Sequence, residues 1–176
     1  MKRILLTLAV LGALVLPAAA LARADGRAKP GYLVVRQARG DGGVSGHAVV
    51  TVVVHGFVLG RVSQEARVDI YQAPSPGSQG PQASAGPAGD VSKRAVKWRS
   101  FAGTEFSGSG FRFYAPAGYY RVVVRGSGIY LFTGGRGNVT LHGSSFAPRA
   151  DGTFSVDGRA FRSLPTRMLN RRIGQG

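Results

Sequence analysis

The chain has 176 residues, 27 of them glycine and 9 proline, with no cysteine and a formal net charge of +15. Glycine and proline together exceed the roughly 12% background and argue against a helical bundle, while 44% hydrophobic residues leave enough apolar side chain for a packed core. The missing cysteine excludes disulfides, thiolate catalysis, zinc–thiolate sites and iron–sulfur clusters together.

The first segment reads as an export signal. Lys2 and Arg3 precede an apolar run from Ile4 to Leu16, Pro17 breaks it, and Ala20-Leu21-Ala22 offers small residues for cleavage, with Ala22-Arg23-Ala24 as a second option. As a helix the run spans roughly 20 Å, short of a ~30 Å hydrocarbon core. Residues 1–22 are therefore expected to be a signal peptide, residues 23–176 a single β-rich domain, and the destination extracellular or cell-envelope associated. Removing Lys2 and Arg3 leaves 21 cations against 8 acids. That balance suits anionic wall polymer, an acidic lipid surface or extracellular DNA. The excess of arginine over lysine has a second reading, the codon usage of a GC-rich genome.

Strand signals follow in order. Tyr32–Gln37 is β-branched and lies between Pro30-Gly31 and a glycine-rich stretch. Ala48–His55 is the most β-prone run and reads as a central strand, buried on both faces. Phe57–Val62 and Arg67–Tyr71 complete the first group, with Val68 and Ile70 alternating against Arg67, Asp69 and Tyr71. Residues 73–90 hold only Ala, Pro, Ser, Gly, Gln and one Asp, so they read as a disordered loop inside one domain, or as a linker between two. Val96–Phe101, Phe111–Tyr114, Tyr119–Arg125, Ile129–Thr133 and Asn138–His142 then resemble an antiparallel meander. Thr153–Val156 and Arg159–Arg162 flank Asp157-Gly158, a type I′ turn signal that sets Phe154 opposite Phe161. Residues 166–176 read as a frayed tail, or as a short helix over 167–173.

The expected fold is all-β, an antiparallel β-sandwich or flattened barrel of about ten strands, with a short β-solenoid as the alternative. A weak repeat relates Val52-Val-Val-His55-Gly56 to Val122-Val-Val-Arg125-Gly126. It reflects either a duplication giving two facing sheets or the convergence of buried strands that end in turns.

Three phrases carry a resemblance: Gly118–Leu131, Gly135–Gly143 and Asp151–Gly158, with Gly56–Val62 ahead of the Pro/Gly-rich segment. Together they resemble a group of uncharacterised exported β-rich proteins of GC-rich bacteria. The resemblance implies an exported all-β domain and no assigned activity.

Chemistry is sparse. No G-x-G-x-x-G, Walker-type loop or G-x-S-x-G elbow occurs. His47 and His55 would lie roughly 26 Å apart on a straight strand, too far for a shared metal. No metal site, cofactor or catalytic residue is assigned. Asp25, Asp41, Asp151 and Asp157 precede glycine in turns, leaving Glu65, Asp69 and Glu105 as candidate acids, with Trp98 as a candidate sugar platform. The sequence reading is a non-catalytic binding or structural module, with a small secreted hydrolase of wall or extracellular polysaccharide as the alternative. Its expected anion-binding residues are Arg112, Arg121 and Arg125, taken as a stripe across two paired strands.

Overall fold

The computed structural model describes residues 29–37, 46–73, 80–144 and 152–174. The signal-peptide reading, Asp25, Asp41 and Asp151 lie outside them. Among the described residues there are nine strands and no helix: β1 (Gly31–Arg36), β2 (Ala48–Val62), β3 (Ala66–Gln72), β4 (Gln82–Trp98), β5 (Phe101–Gly126), β6 (Ile129–His142), β7 (Thr153–Val156), β8 (Arg162–Ser163) and β9 (Leu169–Ile173). They form one sheet in the order β3-β5-β2-β6-β1-β7-β8, with β4 added to β5 and β9 to β6. The all-β expectation holds. Pairing is long-range, with Val52 opposite both Val122 and Val139, so a solenoid of successive neighbours is ruled out. The two V-V-V runs of the weak repeat are adjacent strands of this sheet, not members of two facing sheets.

Strands are longer than the glycine pattern suggests. Gly56 lies within β2 and Gly135 and Gly137 within β6, where backbone approaches backbone so closely that a Cβ would overlap the opposite strand, while a Cβ at Gly134 would meet the Phe57 ring. These glycines serve close approach, not reversal. Segments that read as separate strands on either side of a turn are therefore continuous.

The segment read as a disordered excursion also changes character. Residues 82–90 belong to β4, although residues 74–79 lie outside the described residues. Their strand state comes from pairing with β5, where Gln82 faces Tyr114 and Ala85 faces Phe111. The expected frayed tail is β9, held against β6 from Gly137–Ile173 to Leu141–Leu169. In both places tertiary pairing overrides weak local propensity.

The β4–β5 hairpin turns a corner. Its register jumps between Ala85 and Asp90, opposite Gly110, and Gly108 and Gly110 take φ values of 142° and 60°. Asp90 fixes the corner by accepting from the Ser109 N–H and hydroxyl, both at 2.9 Å, and these bonds lower its pKa. Beyond it the hairpin reaches the far edge of β3. Ala66 faces both Gly108 and Gly126, and Tyr71 faces both Gly103 and Arg121. Partner numbers fall as those of β3 rise, so β3 runs antiparallel to two arms of a single strand.

The inner face of this curved sheet holds the core, including Leu33, Val52, Ile70, Phe111, Leu131 and Leu141, all fully buried. From Phe111 onward the inner-face buried positions of β5 are Phe111, Phe113 and Ala115, then Tyr120, Val122 and Val124. An extra β5 residue between Ala115 and Gly118, opposite Val58 and Gly56, shifts the alternation. Arg112 and Tyr114 thereby share the outer face with Tyr119, Arg121 and Arg125.

Tyr120 is fully buried, burial raises its pKa, and its hydroxyl has no hydrogen-bond partner among the described residues. An unsatisfied buried hydroxyl costs ~1–3 kcal/mol. Tyr120→Phe is expected to raise unfolding stability by about 1 kcal/mol in denaturant titration; a loss of stability would show that the hydroxyl is satisfied.

The Asp157-Gly158 turn forms as read, with φ values of 52° and 74° and Arg159 N–H bonding Val156 C=O at 3.1 Å. The partners differ from expectation: Phe154 faces Arg162, while Phe161 lies one position earlier, exposed beneath Arg36. Asp157 also accepts from Tyr32 N–H at 3.0 Å and Gly174 N–H at 3.2 Å, tying β1 to the residue after β9. Asp157→Ala loses those bonds and strains a positive φ, so it should cost about 2–3 kcal/mol, while Asp157→Asn should retain most of the stability. Equal melting temperatures for wild type and Asp157→Ala would refute the tie.

Candidate anion-binding face

Two sets of arginines occupy the outer face, and their surroundings differ. In the first, cross-strand pairing aligns Val123, Asp69, Glu105 and Arg94 from β5, β3, the other arm of β5, and β4. Asp69 and Glu105 are buried, yet every flanking cation reaches solvent. Arg125 pairs with Asp69 at 2.5 Å, Arg67 with Asp69 at 3.1 Å and with Glu105, and Arg94 with Glu105 at 3.0 Å. The Asp69 hydrogen bond and charge raise the pKa of Arg67. Two rows along, Arg121 lies 4.5 Å from the Trp98 ring centroid and 5.7 Å from that of Tyr71, and Arg99 lies 4.8 Å from Trp98. Two guanidinium groups thus already lie over Trp98, the ring considered as a sugar platform.

The second set lies toward the other end of the face. Register places Ser84 beside Arg112, Arg112 beside Arg61, Arg61 beside Tyr130, and Tyr130 beside Arg36. Neighbours in such a row are ~4.8 Å apart, so Arg112 to Arg36 spans about 14 Å at the backbone. Among the described residues no ion pair involves Arg36, Arg61 or Arg112. Their contacts are aromatic: Arg61 lies 5.4 Å from the Tyr130 centroid and Arg36 4.5 Å from that of Phe161. An open cavity of about 410 Å³ lies along the row, walled by Leu59, Arg61, Ala83, Arg112, Tyr114 and Tyr130 among others.

The expected stripe of Arg112, Arg121 and Arg125 is rearranged by this geometry. All three lie on the outer face, but on one strand, and Arg112 is roughly 30 Å of extended chain from Arg121. Arg125 is ion-paired, and Arg121, which has no ion pair among the described residues, lies over Trp98 at the other end of the face, so only Arg112 belongs to this row. Sequence reasoning missed Arg36, Arg61 and Tyr130. Each alternates with buried neighbours, which reveals its face; its neighbours across the sheet depend on long-range register.

The acids considered for catalysis are partly gathered. His47, Glu65, Arg67, Glu105 and Arg125 border a hollow of about 650 Å³ that does not include Trp98 in its wall. Glu105 is bonded there by two arginines. His47, His55 and His142 are all exposed, and no cluster of three His, Asp or Glu residues that could hold a metal occurs among the described residues. No protein family, curated protein or solved structure matches the chain.

Asp69→Ala removes the shared acceptor of Arg67 and Arg125. Because those arginines are half-exposed, the expected stability loss is ~1–3 kcal/mol, below that of a fully buried pair. Salt-dependent retention on a phosphate-bearing resin should rise as Arg125 is released, while Arg67 keeps Glu105. Weaker retention by a folded variant would contradict the division into engaged and free arginines.

Proposed function

We propose that the protein is an exported, non-catalytic binding module of the cell envelope or extracellular space that holds anionic polymers on its outer face. The observation that carries this reading is the row Arg112–Arg61–Tyr130–Arg36: three cations without a carboxylate partner among the described residues, on exposed sheet positions. Guanidinium groups suit phosphate and carboxylate ligands through their forked donors. The net charge adds long-range attraction. The alternative hydrolase would draw on His47, Glu65 and Glu105, but the two arginines on Glu105 engage one of its few candidate acids.

The test compares two triple variants binding polyphosphate across a salt series. Arg36→Ser/Arg61→Ser/Arg112→Ser should reduce the log–log salt slope by about 2–3, since each phosphate contact contributes roughly 0.7–0.9. Arg67→Ser/Arg121→Ser/Arg125→Ser should change it less, with circular dichroism confirming that both remain folded. Equal losses would mean that net charge alone drives binding and would overturn the assigned row.

A further inference from the structure

Resting on the polyanion reading, we infer that the preferred ligand of this face is single-stranded nucleic acid, with bases packed on an apolar row beside the arginines. The second row is Gln82, Tyr114, Leu59, Phe132, Val34 and Ser155, aligned across β4, β5, β2, β6, β1 and β7. It runs two residues along each strand from the cationic row, a separation of ~7 Å. Arg112 is thus matched with Tyr114, Arg61 with Leu59, Tyr130 with Phe132, and Arg36 with Val34.

The β4–β5–β2 end of this row is open to solvent, whereas Phe132 is half-buried and Val34 and Ser155 are buried. Tyr114 is 40% and Leu59 42% exposed, and they wall the same cavity as Arg61 and Arg112. Beyond its buried end, Tyr32 and Phe161, which lie outside the row, are 43% and 45% exposed. The cavity volume of about 410 Å³ falls within the ~300–1,000 Å³ span of small-molecule sites.

A charged row alone would accept any phosphate polymer. A charged row in register with exposed aromatic and apolar side chains favours a polymer that alternates charge with flat apolar faces. Single-stranded nucleic acid has that chemistry, and base stacking on aromatic side chains tolerates any sequence. Polyphosphate has no flat face to offer, and a duplex keeps its bases stacked inside. Charge complementarity and the paired rows therefore point to the single strand.

The experiment is fluorescence anisotropy with the full chain at fixed salt. The probes are a labelled thymidine 12-mer, a duplex of the same length, and polyphosphate matched in charge to the 12-mer as competitor. The 12-mer should bind at least tenfold more tightly than either. Tyr114→Ala should weaken 12-mer binding by about fivefold to thirtyfold while leaving polyphosphate binding unchanged, and Tyr114→Phe should retain it, because the ring supplies the contact. Leu59→Ala supplies a second variant of the same wall. If polyphosphate or duplex competes as well as the 12-mer, or if Tyr114→Ala weakens all probes equally, the single-strand inference fails while the polyanion reading stands. If no probe binds, both fail.

Discussion

One strand hydrogen-bonds both edges of another. β3 is flanked on either side by arms of β5, and every other feature of the outer face depends on that arrangement. It requires the β4–β5 hairpin to bend where Gly108 and Gly110 adopt positive φ and where β4 takes extra residues between Ala85 and Asp90. An L-residue with a Cβ would meet the opposite backbone at Gly89, Gly108 and Gly110. Without the corner, Arg94 and Trp98 would not come beside β3. Asp69 and Glu105 would then lie in separate surroundings, and Arg121 would lack the Trp98 ring.

The acidic pair aligns strands more than it adds stability. Burying a carboxylate costs several kcal/mol, which attraction to a cation repays only with good geometry. Here the cations remain partly solvated, so the net gain is modest. The directional consequence is larger. Arg67 contacts both acids, Arg125 reaches Asp69 from one β5 arm, and Arg94 reaches Glu105 from β4. A register slip on β3 would turn Asp69 into the apolar interior and Val68 outward, leaving a carboxylate among Phe106 and Val124 without its arginines.

Much of the local structure was legible because it depends on neighbours in sequence. The alternation of Phe111 and Phe113 with Arg112, and of Val122 and Val124 with Arg121 and Arg125, identifies inner and outer faces correctly. Asp157-Gly158 announces its turn for the same reason: both residues tolerate the required dihedrals. Sheet count and site membership were not legible. Gly56 and Gly135 look like turn residues but allow close strand approach, and Gln82–Asp90 lacks strand formers yet is held by β5. Arg36, Arg61 and Arg112 are separated by 25 and 51 positions in the chain. Only register makes them part of one row. The β5 bulge near Ala115–Gly118 adds a further barrier, because it changes which parity faces outward.

Codon usage can account for why this chain has arginine in place of lysine, but not for where the arginines lack acids. Arg36 and Arg61 stack on Phe161 and Tyr130. Stacking on a ring orients a guanidinium while leaving its charge intact, whereas pairing with a carboxylate orients it and neutralises it. One end of the outer face uses both, with Arg67, Arg94 and Arg125 on carboxylates and Arg121 and Arg99 over Trp98, whereas the other uses ring contacts alone. Around Asp69 and Glu105 the cations are committed to holding strands in register. Along Arg112–Arg61–Tyr130–Arg36 they retain full charge, and ring contacts restrict two of the three. Less side-chain freedom then remains to be lost when an anion binds. A lysine in these positions would keep the charge but lose the planar stack and the forked donors. At this row the arginine preference, whatever its origin, places ring-oriented charge with no carboxylate beside it, unlike the ion-paired Arg67, Arg94 and Arg125.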